Sequence, residues 1–128
     1  MIAIRNIDHV VIRAADIDRA LAFYCDVLGC REVRRVESIG LIQLRAGSAM
    51  IDLIDARENP PPDGPGNMDH FALRLETFDE AEIRAHLAAH GIAAGPLKQR
   101  YGAEGTGPSI YIEDPDGNTV ELKGPSDG

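Results

Sequence analysis

The 128-residue chain has 13 Lys+Arg against 21 Asp+Glu, a formal charge of −8, with 44% hydrophobic and 27% charged residues. This balance suits a single domain with a real core and excludes wholesale disorder and a fibrous class. Net acidity argues against nucleic-acid phosphates and anionic membranes as partners. No apolar run reaches the roughly 18–20 residues that span a bilayer. Arg5, Asp8, His9 and Arg13 interrupt the N-terminal segment, which does not read as a signal peptide, so the expected location is cytoplasmic. Cys25 and Cys30 then read as free, buried thiols rather than as a disulfide or a metal pair.

Ile7-Asp8-His9-Val10-Val11-Ile12-Arg13 is echoed by Met68-Asp69-His70-Phe71-Ala72-Leu73-Arg74. The repeat implies two modules, 5–57 and 68–123. In the first, 7–14 reads as a β-branched strand. Asp16 can cap a helix whose apolar positions Ile17, Ala20, Leu21, Tyr24 and Leu28 keep helical spacing, and Gly29 ends it. Strands follow at 31–37, 39–46 and 49–55, with Gly47-Ser48 as a turn. Residues 58–67, with four prolines and two glycines, form a linker.

In the second module 70–76 is a strand. Thr77-Phe78-Asp79-Glu80 has capping-box form with Thr77 at the cap, and its helix runs to His90 and stops at Gly91. Strands are expected at 93–97, 109–113 and 119–123, with Asp114–Asn118 as a turn. Gly102–Gly107 reads as a mobile loop, and 124–128 as a frayed tail. The expected fold is α+β: two tandem βαβββ modules forming a curved mixed β-sheet with helices outside.

Side chains alternate across a strand. His9, Val11 and Arg13 therefore share a face, as do His70, Ala72 and Arg74; Met50, Asp52 and Ile54; and Thr119, Glu121 and Lys123. Asp52 and Glu121 each interrupt an apolar strand, and a carboxylate inside a sheet needs a partner. Either the four residues are separately placed, or His9, Asp52, His70 and Glu121 share a divalent metal. Nitrogen and oxygen donors suit Zn, Ni, Fe, Mn or Co. His86 and His90, one helical turn apart, lack the Glu of the metalloprotease motif and read as solvated.

Four segments then resemble one family. They are Asp8-His9-Val10; Phe23-Tyr24-Cys25-Asp26-Val27-Leu28-Gly29, similar to an FY-x-x-x-LG helix end; Asp69-His70-Phe71-Ala72-Leu73; and Asp114-Pro115-Asp116-Gly117-Asn118-Thr119-Val120-Glu121-Leu122, similar to a DPDGN-x-x-EL ending. The chain resembles the vicinal oxygen chelate superfamily (glyoxalase/bleomycin resistance/dioxygenase) over about residues 5–123. The resemblance places His9, Asp52, His70 and Glu121 on the metal-ligand positions, with one divalent metal per chain. Asp52 stands where glyoxalase I usually has Glu and epimerases of the family have Gln.

The resemblance implies a metal that chelates two neighbouring substrate oxygens. For a glyoxalase I-like lyase or isomerase the substrate is a 2-oxoaldehyde–thiol hemithioacetal, such as the glutathione adduct. Glu121 is then the better base, with Asp52 as the second carboxylate. Arg13 resembles an arginine directed at the glutathione carboxylate, although a surface charge is the alternative and Ala56 stands where glyoxalase I carries Asn. Tyr111 resembles a tyrosine near the metal of ring-cleaving dioxygenases, with core packing as the alternative. Extradiol-type dioxygenases, fosfomycin-type thiol transferases and metal-free ligand-sequestering proteins of the bleomycin-resistance type are the other activities in the family. The family resemblance also implies a homodimer.

Overall fold

Apolar alternation in the first half folds into β1 (His9–Ala14), β2 (Arg31–Val36), β3 (Leu41–Ala46) and β4 (Ala49–Asp55) in this computed structural model, which describes residues 3–127. These belong to one of two compact units, Met1–Gly64 and Pro65–Gly128. The strand order is β1-β4-β3-β2, with β1 parallel to β4 and the other pairs antiparallel. A parallel pair needs a long crossover; here it carries α1 (Ile17–Leu21), capped by the Asp16 carboxylate accepting from the Arg19 N–H at 3.1 Å. Ile12, Ala14, Ile42, Leu44, Ile51 and Leu53 are buried, together with Ala20, Phe23 and Tyr24 of the helical segment. His9, Val11 and Arg13 alternate with that core and are exposed.

The expected α-helix to Leu28 is only partly α. Ala22–Val27 forms a π-helical turn, in which the Leu28 N–H reaches the Phe23 carbonyl at 3.1 Å. The wider turn brings two consecutive aromatics inward: Phe23 and Tyr24 are both buried, with ring centroids 4.9 Å apart in edge-to-face contact. Adjacent positions on an ordinary α-helix point apart. Gly29 ends the segment at φ +79°. Cys25 and Cys30 are free thiols, half-buried rather than buried. Desolvation raises both, and pushes Cys30 up to about 11.

A short 3-10 turn, Glu37–Ile39, occupies the expected start of β3. It ends at Gly40, φ +65°, where a Cβ would stand 2.6 Å from Glu58 Oε2 and 3.0 Å from Asp55 Cβ. Asp55 accepts from the backbone N–H, Nε and Nη2 of Arg57 at 2.9, 3.1 and 2.8 Å. The Arg57 side chain, then its backbone N–H, holds the Asp55 carboxyl below its usual range. A carboxyl lowered by folding stabilises the fold above its unfolded pKa, and the gain disappears as pH falls through the folded one. Asp55→Asn should therefore lower Tm at neutral pH, with the gap to wild type closing as pH drops through the carboxylate range; thermal melts across that range check this.

The second unit repeats the plan with β5 (His70–Arg74), α2 (Glu80–Ala89), β6 (Lys98–Gly102), β7 (Gly105–Glu113) and β8 (Thr119–Lys123), in the order β5-β8-β7-β6. β5 is parallel to β8 and the remaining pairs are antiparallel. Leu87, Ile110, Ile112, Val120 and Leu122 are buried. The Asp114 carboxylate closes the β7–β8 turn by accepting from the N–H groups of Asp116 and Asn118 and from the Asn118 amide.

Four expectations are corrected here. The cap of α2 is Asp79, not Thr77: its carboxylate accepts from the Glu82 N–H at 3.1 Å. The strand expected at 93–97 is irregular chain, with Gly95 donating to the Tyr111 carbonyl and Pro96 having no N–H to give. The third strand is Lys98–Gly102 instead. The loop expected at Gly102–Gly107 belongs to the β6–β7 hairpin, in which Gly102 pairs with Gly105. The tail from Gly124 does not fray: the N–H groups of Gly124 and Asp127 donate to the carbonyls of Pro108 and Thr106, each at 2.8 Å. Gly128 lies outside the described residues. Both units are thus four-stranded mixed sheets with few helices, an α+β fold. Among the described residues no helix is long and apolar enough to cross a membrane.

Candidate functional site

In the first unit β1 and β4 place His9 opposite Met50 and Val11 opposite Asp52. His9 and Asp52 therefore share a face, offset by two residues on neighbouring strands. His9 Nδ1 lies 2.7 Å from Asp8 Oδ2. With Nδ1–H donated to Asp8, Nε2 keeps its lone pair for another partner. The Asp8 hydrogen bond raises the His9 pKa, helped by the charges of Asp52 and Asp8 and opposed by burial.

Asp52 is buried, 4% exposed. Gln43, its register partner on β3, donates from Nε2 to Asp52 Oδ2 at 3.1 Å. Arg34 on β2 donates in turn to Gln43 Oε1 at 3.2 Å, which fixes the amide with its NH2 toward the carboxylate. Asp52 Oδ1 is buried and has no hydrogen-bond partner among the described residues. A buried carboxylate oxygen left in this state is costly and fits a cation.

The second unit shows the same construction. His70 pairs with Thr119 and Ala72 with Glu121. His70 Nδ1 lies 2.7 Å from Asp69 Oδ2, and its Nε2 lies 3.2 Å from Oε1 of the buried Glu121. If Asp69 takes Nδ1–H, the Nε2 lone pair faces a carboxylate oxygen, and two acceptors at that distance need a proton or a cation between them. Tyr111 stands opposite Glu121 on β7, with its ring 5.1 Å from that of His70. Arg100 on β6 covers the Tyr111 ring at 3.9 Å and donates to the carbonyl and hydroxyl of Ser109.

The sequence-predicted residues thus fall into pairs, His9 with Asp52 and His70 with Glu121, with Tyr111 beside the second. Among the described residues no three His, Cys, Asp or Glu side chains form a metal-holding group by themselves. Each pair by itself offers donors of the kind a divalent ion takes: in the first unit an imidazole with Nδ1 engaged and an orphaned carboxylate oxygen, in the second an imidazole with Nδ1 engaged and a carboxylate facing its other nitrogen. Arg13 shares the His9 face but donates from Nε to the Asn59 carbonyl at 2.9 Å. Arg74 is taken up by Glu104 at 2.8 Å. His86 and His90 meet edge to face at the end of α2, with ring centroids 4.9 Å apart. Sequence reasoning did not find the supporting role of Gln43. Its signal was present: Gln43 breaks the apolar run of β3 as Asp52 breaks that of β4. The Asp preceding each His was visible in both repeats.

The family model for the Glyoxalase/Bleomycin resistance protein/Dioxygenase superfamily matches residues 6–122. A glyoxalase domain-containing protein of Mycosarcoma maydis is 35% identical over 127 residues, covering 94% of this chain and 69% of that protein. A catechol-2,3-dioxygenase of Bacillus subtilis is 30% identical over 123 residues, covering 91% of this chain and 40% of that protein. The solved structure of a lactoylglutathione lyase from Agrobacterium tumefaciens matches with TM-score 0.65 and 30% identity, over 93% of this chain and 92% of that one.

Proposed function

Because this chain belongs to the Glyoxalase/Bleomycin resistance protein/Dioxygenase superfamily, we propose that it is a metal-dependent enzyme of the glyoxalase I type. Its substrate class is a small 2-oxoaldehyde–thiol hemithioacetal, with glutathione as one source of the thiol. The observation that carries the reading is the repeated His–carboxylate pair, with Asp52 Oδ1 buried and unpartnered. His9, Asp52, His70 and Glu121 are the proposed ligands of one divalent ion (Zn, Ni, Fe, Mn or Co). When bound, such an ion draws charge from two neighbouring substrate oxygens and acidifies the adjacent C–H.

The chain's own groups supply the rest. Asp8 and Asp69 hold the Nδ1 protons of His9 and His70, so that each Nε2 is a donor atom. Gln43 holds Asp52 by one oxygen and leaves the other free. Glu121 removes the proton from one carbon of the hemithioacetal and returns it to the neighbouring carbon, and Asp52 is the second carboxylate available to that transfer. Arg13 and Tyr111 are proposed to contact substrate. Two carboxylates in the set favour proton transfer over oxygen activation.

A dioxygenase is the second reading, favoured by Tyr111 beside His70 and by the dioxygenase relative. Metal-loaded protein is assayed with the methylglyoxal–glutathione adduct and, in an oxygen electrode, with catechols. Adduct turnover that disappears on chelation and returns with metal supports the proposal. Rapid oxygen uptake with catechols and no turnover of any adduct replaces it with the second reading.

The proposal includes a cytoplasmic homodimer. β2 and β6 are outermost in their sheets and largely exposed, and such edges call for cover. Light scattering at micromolar concentration should give twice the chain mass; a clean monomer mass rejects the dimer.

A further inference from the structure

We propose that Lys123 anchors an anionic group of the substrate, a carboxylate or a phosphoryl group, on the sheet face that carries His70 and Glu121; the inference rests on reading that face as a substrate site.

Lys123 ends β8, two residues beyond Glu121, and so projects from the same face, about 6–7 Å further along the strand. Its side chain is buried, 7% exposed. Lysine is almost never buried to this degree without a counter-charge. Among the described residues, however, no carboxylate pairs with it. Its ammonium has one hydrogen bond at the outer limit of distance, 3.5 Å to the Gly124 carbonyl. The arginines of β5 and β6 are already engaged. Arg74, its register partner on β5, is spent on Glu104 and the Leu75 carbonyl. Arg100 is spent on Ser109 and the Tyr111 ring.

The space around the ammonium is made by two glycines. A Cβ on Gly102 would stand 2.8 Å from Lys123 Cε and 3.1 Å from Cδ, and one on Gly107 would stand 3.2 Å from Nζ. Neither glycine has a positive φ, so the backbone does not require them. Gly107 also admits the Pro125 carbonyl, which would lie 2.4 Å from its Cβ. The three atoms nearest a Cβ on Gly102 all belong to the Lys123 side chain. In a chain of net charge −8, a buried lysine with no carboxylate partner among the described residues, beside a proposed metal pair, is a specific feature. It fits a substrate whose anionic group lies about two strand residues from its chelating oxygens.

The test has two arms on the full chain. Inorganic phosphate and malonate are titrated calorimetrically into wild type, Lys123→Met and Gly102→Ala. Saturable binding is expected for wild type, weaker by about tenfold or more in both variants. Phosphate alone binding identifies a phosphoryl group, and malonate alone a carboxylate. Lys123→Met should melt no lower than wild type, since it replaces a buried lysine that has no carboxylate partner among the described residues with an apolar chain of similar length. No saturable binding to wild type, equal binding to Lys123→Met, or a Tm of that variant well below wild type overturns the anchor.

The second arm compares kcat/KM for methylglyoxal hemithioacetals of glutathione and of 2-mercaptoethanol, which differ in carrying carboxylates. The preference for the charged adduct should fall toward unity in Lys123→Met, and an unchanged preference overturns the anchor. If the titrations succeed and neither adduct turns over, Lys123 stands and the hemithioacetal reading fails.

Discussion

Glu121→Gln is expected to strip the protein of most of its bound divalent metal, weakening affinity by about 100-fold or more while leaving the fold intact. The variant keeps the shape of a side chain that is 5% exposed. It replaces a charged donor oxygen with a neutral amide. The amide can donate to His70 Nε2, now 3.2 Å from a carboxylate oxygen, so the acceptor–acceptor contact becomes a hydrogen bond. Metal-free Glu121→Gln should therefore melt no lower than metal-free wild type, although it no longer gains the stabilisation that added metal gives the wild type. Elemental analysis and melts with and without metal read both effects. Full metal occupancy in the variant would remove Glu121 from the ligand set.

Asp52→Asn separates chemistry from metal binding. Asn can still accept from Gln43 through its carbonyl oxygen, so the Arg34–Gln43 support is preserved. What is lost is the charge on the orphaned oxygen. A positioned general base contributes about 10²–10⁴ in rate; with Glu121 still in place as the base, loss of the second carboxylate should lower kcat for the hemithioacetal by about the lower end of that range, a larger factor than the change in metal affinity. Steady-state kinetics at saturating metal make the comparison. Loss of metal parallel to that of Glu121→Gln would make Asp52 a ligand without a role in proton transfer.

How far the sequence carries depends on which residues speak for themselves. β4 and β8 were legible to the residue because apolar strands with a single carboxylate leave little choice of register. The four candidate ligands were legible for the same reason: a His or an acid inside such a strand stands out, and the repeat doubles the signal. β6 was not. Lys98-Gln99-Arg100-Tyr101-Gly102 has no apolar alternation, because it is an edge strand whose partner β7 supplies the pairing, and the small apolar run before it drew the assignment instead. The π-helical turn was illegible because the inward rotation of Phe23 and Tyr24 is decided by packing, not by spacing. Thr77 imitated a cap that Asp79 provides two residues later. Alternation placed Lys123 on the face of Thr119 and Glu121, but only the fold shows that it is buried, with Gly102 and Gly107 against its side chain.

The most direct measurement is titration of chelator-treated, metal-free protein with Co(II), followed by visible absorbance. The account predicts saturation at a single equivalent per chain, with the ligand-field bands of a nitrogen and oxygen donor set, and with saturation lost in His9→Ala and in His70→Ala alike. Failure of the wild type to take up metal, or uptake that neither substitution alters, would contradict it.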